Sequence, residues 1–120
     1  MYTAYKLTDE TIDLLKSYFN IIYADFIGHH ITVKFGVSSN EPLPTFTDDI
    51  FVIGEACHDN VQALAVSIDG NMYREDGRIY HITWSIDRSK GKKPVDSNKI
   101  IHLAQRIAPI KIKAIPVILG

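Results

Sequence analysis

Ile27-Gly28-His29-His30-Ile31-Thr32-Val33-Lys34-Phe35 and Ile79-Tyr80-His81-Ile82-Thr83-Trp84-Ser85-Ile86 decide how this chain folds. Both are short apolar runs rich in β-branched and aromatic residues, the composition of a strand. The tripeptide His-Ile-Thr lies in each, 51 positions apart. Side chains of a strand alternate between its faces. His30, Thr32 and Lys34 are therefore expected on one face, with Ile31, Val33 and Phe35 on the other. His81, Thr83 and Ser85 are likewise expected opposite Tyr80, Ile82, Trp84 and Ile86. Each strand then buries an apolar face and offers an imidazole and a hydroxyl on the other. Side by side, the two strands would line one cleft with two histidines and two threonines.

Working outward, Tyr2–Leu7 alternates weakly and reads as a first strand. Thr8 is a helix N-cap with Asp9 and Glu10 in the first turn, where the helix dipole favours anions. Ile12, Leu15 and Phe19 then recur at helical spacing, so a helix is expected to about Phe19. Pro42 and Pro44 mark a loop from Ser38 to Phe46. Asp49–Cys57 and Val61–Ile68 read as two strands joined at His58-Asp59-Asn60, followed by a turn at Asp69-Gly70-Asn71 and a loop around Asp76-Gly77. Asp96 or Ser97 is expected to cap a short helix through about Arg106, with Ile100, Leu103 and Ile107 on one face. Ile110–Leu119 reads as one final strand, at an edge because of Pro116.

A length of 120 residues, 46% of them apolar, fits a single globular domain, 1–120, with a modest core. Cys57 is the only cysteine, which excludes an intrachain disulfide and a cysteine-rich metal site. Met1–Lys6 lacks the apolar run of a signal peptide, and no segment approaches a membrane span. A cytoplasmic setting without membrane attachment is expected. The net charge of −1 hides an asymmetry: residues 1–80 carry −7 and residues 81–120 carry +6. The basic part would steer a polyanion towards the second His-Ile-Thr strand, or the two parts would attract each other.

Two histidines and two hydroxyls on one cleft suit displacement at phosphorus. One imidazole takes the proton of the attacking oxygen and the other supplies the departing oxygen, and histidine does either near neutral pH. Hydroxyls donate to the non-bridging phosphate oxygens. The pair must hold one proton between them, so a bell-shaped pH dependence follows.

This pattern resembles the two-histidine (2H) phosphoesterases, whose signature is a pair of His-x-Thr/Ser motifs. The order of Gly28–Gly36, Val52–Val66, His81-Ile82-Thr83 and Lys93–Asn98 resembles the cyclic phosphodiesterase domain of fungal tRNA ligases and related compact phage and bacterial proteins. The resemblance runs from about residue 5 to residue 100. It implies an α+β, compact two-lobed 2H phosphoesterase fold, with antiparallel sheets around a central cleft and one or two helices outside. It also implies catalytic roles for His30, Thr32, His81 and Thr83, with no metal and no cofactor. The implied reaction is hydrolysis of 2′,3′-cyclic phosphate RNA ends to a 2′-phosphate. The alternative is the activity of compact phage relatives that degrade the cyclic oligonucleotide messengers of the anti-phage defence CBASS. A third reading is a non-catalytic nucleotide- or RNA-binding module. The expected partner is an RNA end or a cyclic oligonucleotide as substrate; no obligate protein partner is inferred.

Further candidates for substrate binding are Lys34 and Ser85 on the cleft faces, and Lys92 and Lys93 in the basic loop before Ser97-Asn98. A helix starting at Ser97 would add free N–H groups for an anion. Tyr5, Tyr23 and Trp84 are candidates to stack on a base; for Trp84 the alternation also allows the core behind His81. His29 is expected to face away from His30 or to sit at the lip. A zinc site would need histidines to converge that no ligand spacing brings together.

Overall fold

Strands form where the sequence alternates and end where it supplies turn residues. The computed structural model describes residues 1–120. In chain order the elements are β1 (Tyr2–Leu7), α1 (Asp9–Tyr18), β2 (Asp25–Phe26), β3 (His30–Phe35), β4 (Ile50–His58), β5 (Val61–Ile68), β6 (His81–Ile86), α2 (Ser97–Ile100), β7 (Gln105–Lys111) and β8 (Ala114–Leu119). Short 3-10 turns lie at Arg88–Lys90, Pro94–Asp96 and Ile101–Leu103. The product is a compact α+β fold with a radius of gyration of 13.4 Å, close to the roughly 13.5 Å expected for this many packed residues. No helix is long and apolar enough to cross a membrane.

The strands pair antiparallel in the order β7-β4-β5-β6-β3-β1-β8, with β2 also on β6. Within this one sheet, β7-β4-β5-β6 and β3-β1-β8 join where Ile31 of β3 pairs with Ile82 of β6. Those isoleucines are the central residues of the two His-Ile-Thr motifs. Both are fully buried in a cluster with Leu15, Leu64 and Trp84. At about 1.5–3 kcal/mol for each large apolar side chain removed from water, this shared apolar backing holds the motif strands together. A second cluster, including Ala63, Ile86, Ile100 and Ile101, covers the opposite face of β5 beneath α2.

Local chemistry accounts for the boundaries. Thr8 caps α1 by accepting the Thr11 N–H at 3.2 Å, and Leu15 and Phe19 turn inward as their spacing requires. Asp59 and Asn60 (φ 52° and 61°) link β4 to β5, and Asp69 and Gly70 (φ 51° and 80°) close the turn after β5. These left-handed pairs have the twist a two-residue hairpin needs.

The C-terminal quarter departs from its sequence reading. The helix ends at Ile100, and Arg106 and Ile107 belong to β7. Pairing with β4 prevails over local helical spacing, because Gly54 lets the Gln105 carbonyl come close; a Cβ at position 54 would lie 2.9 Å from that oxygen. The expected single strand Ile110–Leu119 is two strands on opposite outer edges of the sheet. Between them the Ile112 N–H bonds the Ile50 carbonyl at 3.0 Å. Thr11 Oγ1 accepts from the Lys113 N–H at 2.9 Å and donates to the Lys113 carbonyl at 3.0 Å. Pro116 stands on the edge strand β8, where its missing N–H costs no ladder bond.

Candidate active site

The approach to β3 places the first histidine. Asp25 and Phe26 pair with Ile86 and Ser85, then Ile27 and Gly28 donate to the carbonyls of Trp84 and Thr83 at 2.9 and 3.0 Å. Gly28 has φ +46°, and a Cβ there would lie 2.1 Å from the Phe26 ring. Only glycine fits that turn. His29 and His30 then add to the path before pairing resumes at Ile31 and Ile82.

Both motif strands carry an irregularity at the same place. On β3, Thr32 pairs with Ala4 and Lys34 with Thr3, so Val33 is an extra residue. On β6, Thr83 pairs with Ala63 and Ser85 with Gln62, so Trp84 is extra. A bulge shifts the alternation beyond it by one residue. Each His-Ile-Thr therefore keeps its histidine and threonine on one face, and the face expectation fails just beyond.

His30, Thr32, His81 and Thr83 line one cavity of about 250 Å³, as the cleft reading expects. Tyr2, Ile27, Phe35, Arg74, Pro94, Val95 and Asn98 complete its wall. Lys34 is corrected: the bulge turns it away from the cleft to Glu41, 3.5 Å distant, and Phe35 takes the cleft position. Ser85 is corrected for the same reason; it is fully buried, donating to Gln62 Oε1 and accepting the Tyr23 N–H at 3.1 Å. Trp84 lies in the core, edge-on to Phe19 and Phe26, and Tyr5 is buried there with its hydroxyl donating to the Thr45 carbonyl at 2.6 Å. Neither ring reaches the cavity. Tyr23 also lies outside it, with its hydroxyl 3.5 Å from Cys57 Sγ.

The basic loop does not line the cavity either. Lys92 pairs with Asp59 at 2.8 Å, across the charge divide of the sequence, and the Lys93 N–H donates to Asp96 at 2.8 Å. The chain reaches the cavity only with Pro94, Val95 and Asn98. The cation of the wall is Arg74, from the acidic part of the sequence. Its guanidinium pairs with Asp76, its Nε is buried with no hydrogen-bond partner, and its Cζ lies 5.3 Å from the centre of the Phe35 ring. Sequence reading passed over Arg74 and Tyr2, named Asn98 only at the start of a helix, and put Phe35 on the opposite face, because loop geometry and the β3 bulge place them. The Asp76-Gly77 turn beside Arg74 was the one available signal. The five histidines include no group of three metal-ligand side chains with Cys, Asp or Glu.

The two imidazoles differ in surroundings. His81 Nδ1 lies 2.9 Å from the Ile79 carbonyl. A carbonyl only accepts, so Nδ1 carries the hydrogen and Nε2 is left for chemistry. Burial lowers the His81 pKa, the Ile79 carbonyl opposes that by favouring the cation, and Arg74 and Arg78 add to the lowering. His30 is pushed down to about 4, first by burial and then by the nearby His29 and His81 charges. His30 Nδ1 lies 2.9 Å from Nδ1 of the exposed His29, so one ring donates to the other. His29 thus touches His30 rather than facing away, without lining the cavity. Thr83 Oγ1 donates to the Pro94 carbonyl at 3.2 Å and shares a 2.8 Å hydrogen bond with buried Ser97.

Two imidazoles on one cavity, with a hydroxyl beside each, are an arrangement that can move two protons at one centre. Compared with known proteins, the chain matches no family model, no curated protein and no solved structure.

Proposed function

We propose that this chain is a phosphodiesterase of the 2H type, hydrolysing 2′,3′-cyclic phosphate RNA ends to a 2′-phosphate. The observation that carries the reading is the meeting of both His-Ile-Thr motifs at one cavity, each followed by a bulge at the same position. The antiparallel pairing of the sheet that carries both motif strands is compatible with such a fold.

The surroundings of the rings divide the roles. An acceptor on Nδ1 favours the imidazolium of His81, whereas His30 has a second imidazole as its neighbour. In the singly protonated pair the proton therefore resides on His81. His30 acts as base and accepts a proton from the attacking water as its oxygen bonds to phosphorus. The bond from phosphorus to the 3′ oxygen breaks, and His81 Nε2–H protonates that oxygen. Thr32 and Thr83 donate to the non-bridging oxygens; Thr83 does so by turning its proton away from the Pro94 carbonyl. Solvent exchange then restores the starting protonation.

Degradation of a cyclic oligonucleotide is the second reading. There a ribose 2′-hydroxyl attacks the adjoining phosphate, with the same acid and base. The cavity volume of about 250 Å³ lies below the roughly 300–1,000 Å³ of sites that enclose a whole small ligand. It suits one phosphodiester and its sugars, and Phe35, exposed at the wall, offers a face to a base outside it.

The purified protein, in EDTA, is incubated with an oligonucleotide ending in a 2′,3′-cyclic phosphate and with cyclic di- and trinucleotides. A 2′-phosphate end supports the first reading, and opened cyclic nucleotides the second. Binding without any product returns the chain to a non-catalytic module.

A further inference from the structure

Arg74 is the one charged side chain on the cavity wall besides the histidines, and the proposed reaction has not used it. Its side chain is only 2% exposed. It is delivered by a tight turn between β5 and β6: the Arg74 N–H donates to the Arg78 carbonyl at 2.7 Å, and the Gly77 N–H to the Arg74 carbonyl at 3.0 Å. Asp76 fixes the turn by accepting the Arg78 N–H at 3.1 Å, and its other oxygen takes a hydrogen bond from Arg74 Nη2.

That contact engages one of the five N–H donors of a guanidinium. Nε has no partner although it is buried. A buried unpaired donor is rare and calls for a reason. Asp76 is itself 46% exposed, so water screens its charge, while Arg74 is almost wholly buried at the cavity wall. Phe35, beneath the guanidinium, limits its movement and leaves the planar edge as its polar surface. A planar fork of donors with a fixed direction matches the oxygens of a phosphate.

We infer that Arg74 is a third phosphate-holding group of the cleft, gripping non-bridging oxygens beside Thr32 and Thr83. The inference rests on the proposed reaction for its ligand, a phosphodiester anion. As oxygen adds to phosphorus, negative charge gathers on those oxygens, and a desolvated guanidinium favours that stage over the ground state. The same charge bears on His81 with that of Arg78 and makes its imidazolium the readier proton donor.

Inorganic phosphate is titrated calorimetrically into the wild type, Arg74→Lys and Arg74→Gln, with folding of each checked by circular dichroism and melting. Phosphate is expected to bind the wild type, at least tenfold more weakly to Arg74→Gln, and with intermediate strength to Arg74→Lys. Where cyclic-phosphate hydrolysis is present, Arg74→Gln is expected to lower kcat/KM by on the order of 10²-fold and to move the alkaline limb of its pH profile upward. A guanidinium that merely pinned the turn would lower the melting temperature and leave phosphate affinity in place; this result overturns the inference. So does a wild type that binds no phosphate. Should Arg74→Gln not fold, Arg74→Lys decides: unchanged phosphate affinity refutes the forked contact, and a fivefold loss supports it. Absence of turnover in the wild type counts against the proposed reaction alone, since the phosphate titration still tests Arg74.

Discussion

The two His-Ile-Thr strands share a sequence but are held differently. On β6, the His81 ring is tied to the Ile79 carbonyl and Thr83 to Ser97 and Pro94. On β3, the His30 ring has only the exposed His29 as its hydrogen-bonding neighbour, and Thr32 has no comparable tether. The difference teaches that repetition supplied the chemical groups while surroundings set them apart; in the proposed reaction that would divide their tasks. One half is tethered by hydrogen bonds to neighbouring backbone and side chains, and the other is not. Fixed orientation favours the donor of a proton to a leaving group, which must meet one atom at one moment.

The hardest way to break the comparison is to remove the rings. His30→Ala and His81→Ala are each expected to lower turnover by about 10²–10⁴-fold, measured on a cyclic-phosphate oligonucleotide. Retention of near-full activity in either variant ends the two-histidine mechanism. The threonines come next. Thr83→Val is expected to lose about 1–3 kcal/mol of stability in urea unfolding through its ties to Ser97 and Pro94. Thr32→Val should unfold like the wild type while losing roughly tenfold or more in kcat/KM, the scale of one hydrogen bond to a charged group. Equal destabilisation by both would remove the distinction between a fixed half and a free half.

The pH profile sharpens the same contrast. His30 is held near 4 and His81 below its ordinary 6.5. As pH falls through the His30 value the base becomes protonated, and as pH rises through the His81 value the acid loses its proton. The kcat/KM of the wild type is thus expected to peak on the acid side of 6.5. A maximum above neutrality would contradict the assigned roles. The smallest effect belongs to His29→Ala. Removing that charge relieves His30 and raises its pKa, so the acid limb moves to higher pH, with a loss of turnover well below that of His30→Ala. A loss as large as that of His30→Ala would make His29 a working member of the site.

The motifs were legible because a strand reports its own period: His30, Thr32, His81 and Thr83 meet on the cavity as alternation required. Alternation also misplaced Lys34 and Ser85, since a bulge is a property of two strands together. Nothing in Val33 or Trp84 alone announces that its partner strand skips a residue. The α1 cap at Thr8 and the turns at Asp59-Asn60 and Asp69-Gly70 were readable because each is decided within a few residues. The fate of Ala104–Leu119 was not. Local spacing favoured a longer helix and one strand, and distant partners at Gly54 and Thr11 decided otherwise. Arg74 was hidden for a related reason: a short charged loop has no period, and only folding shows which of its charges turns inward.

The crossing at Ile112-Lys113 carries a mechanical consequence. A seam where β3 meets β6 at one residue pair would by itself act as a flexible joint. The C-terminal crossing straps one outer edge of the sheet to the other, and Thr11 rivets it to the start of α1. The molecule is a closed girdle rather than a pair of jaws. Widening the gap between the imidazoles would have to strain that crossing as well as the seam.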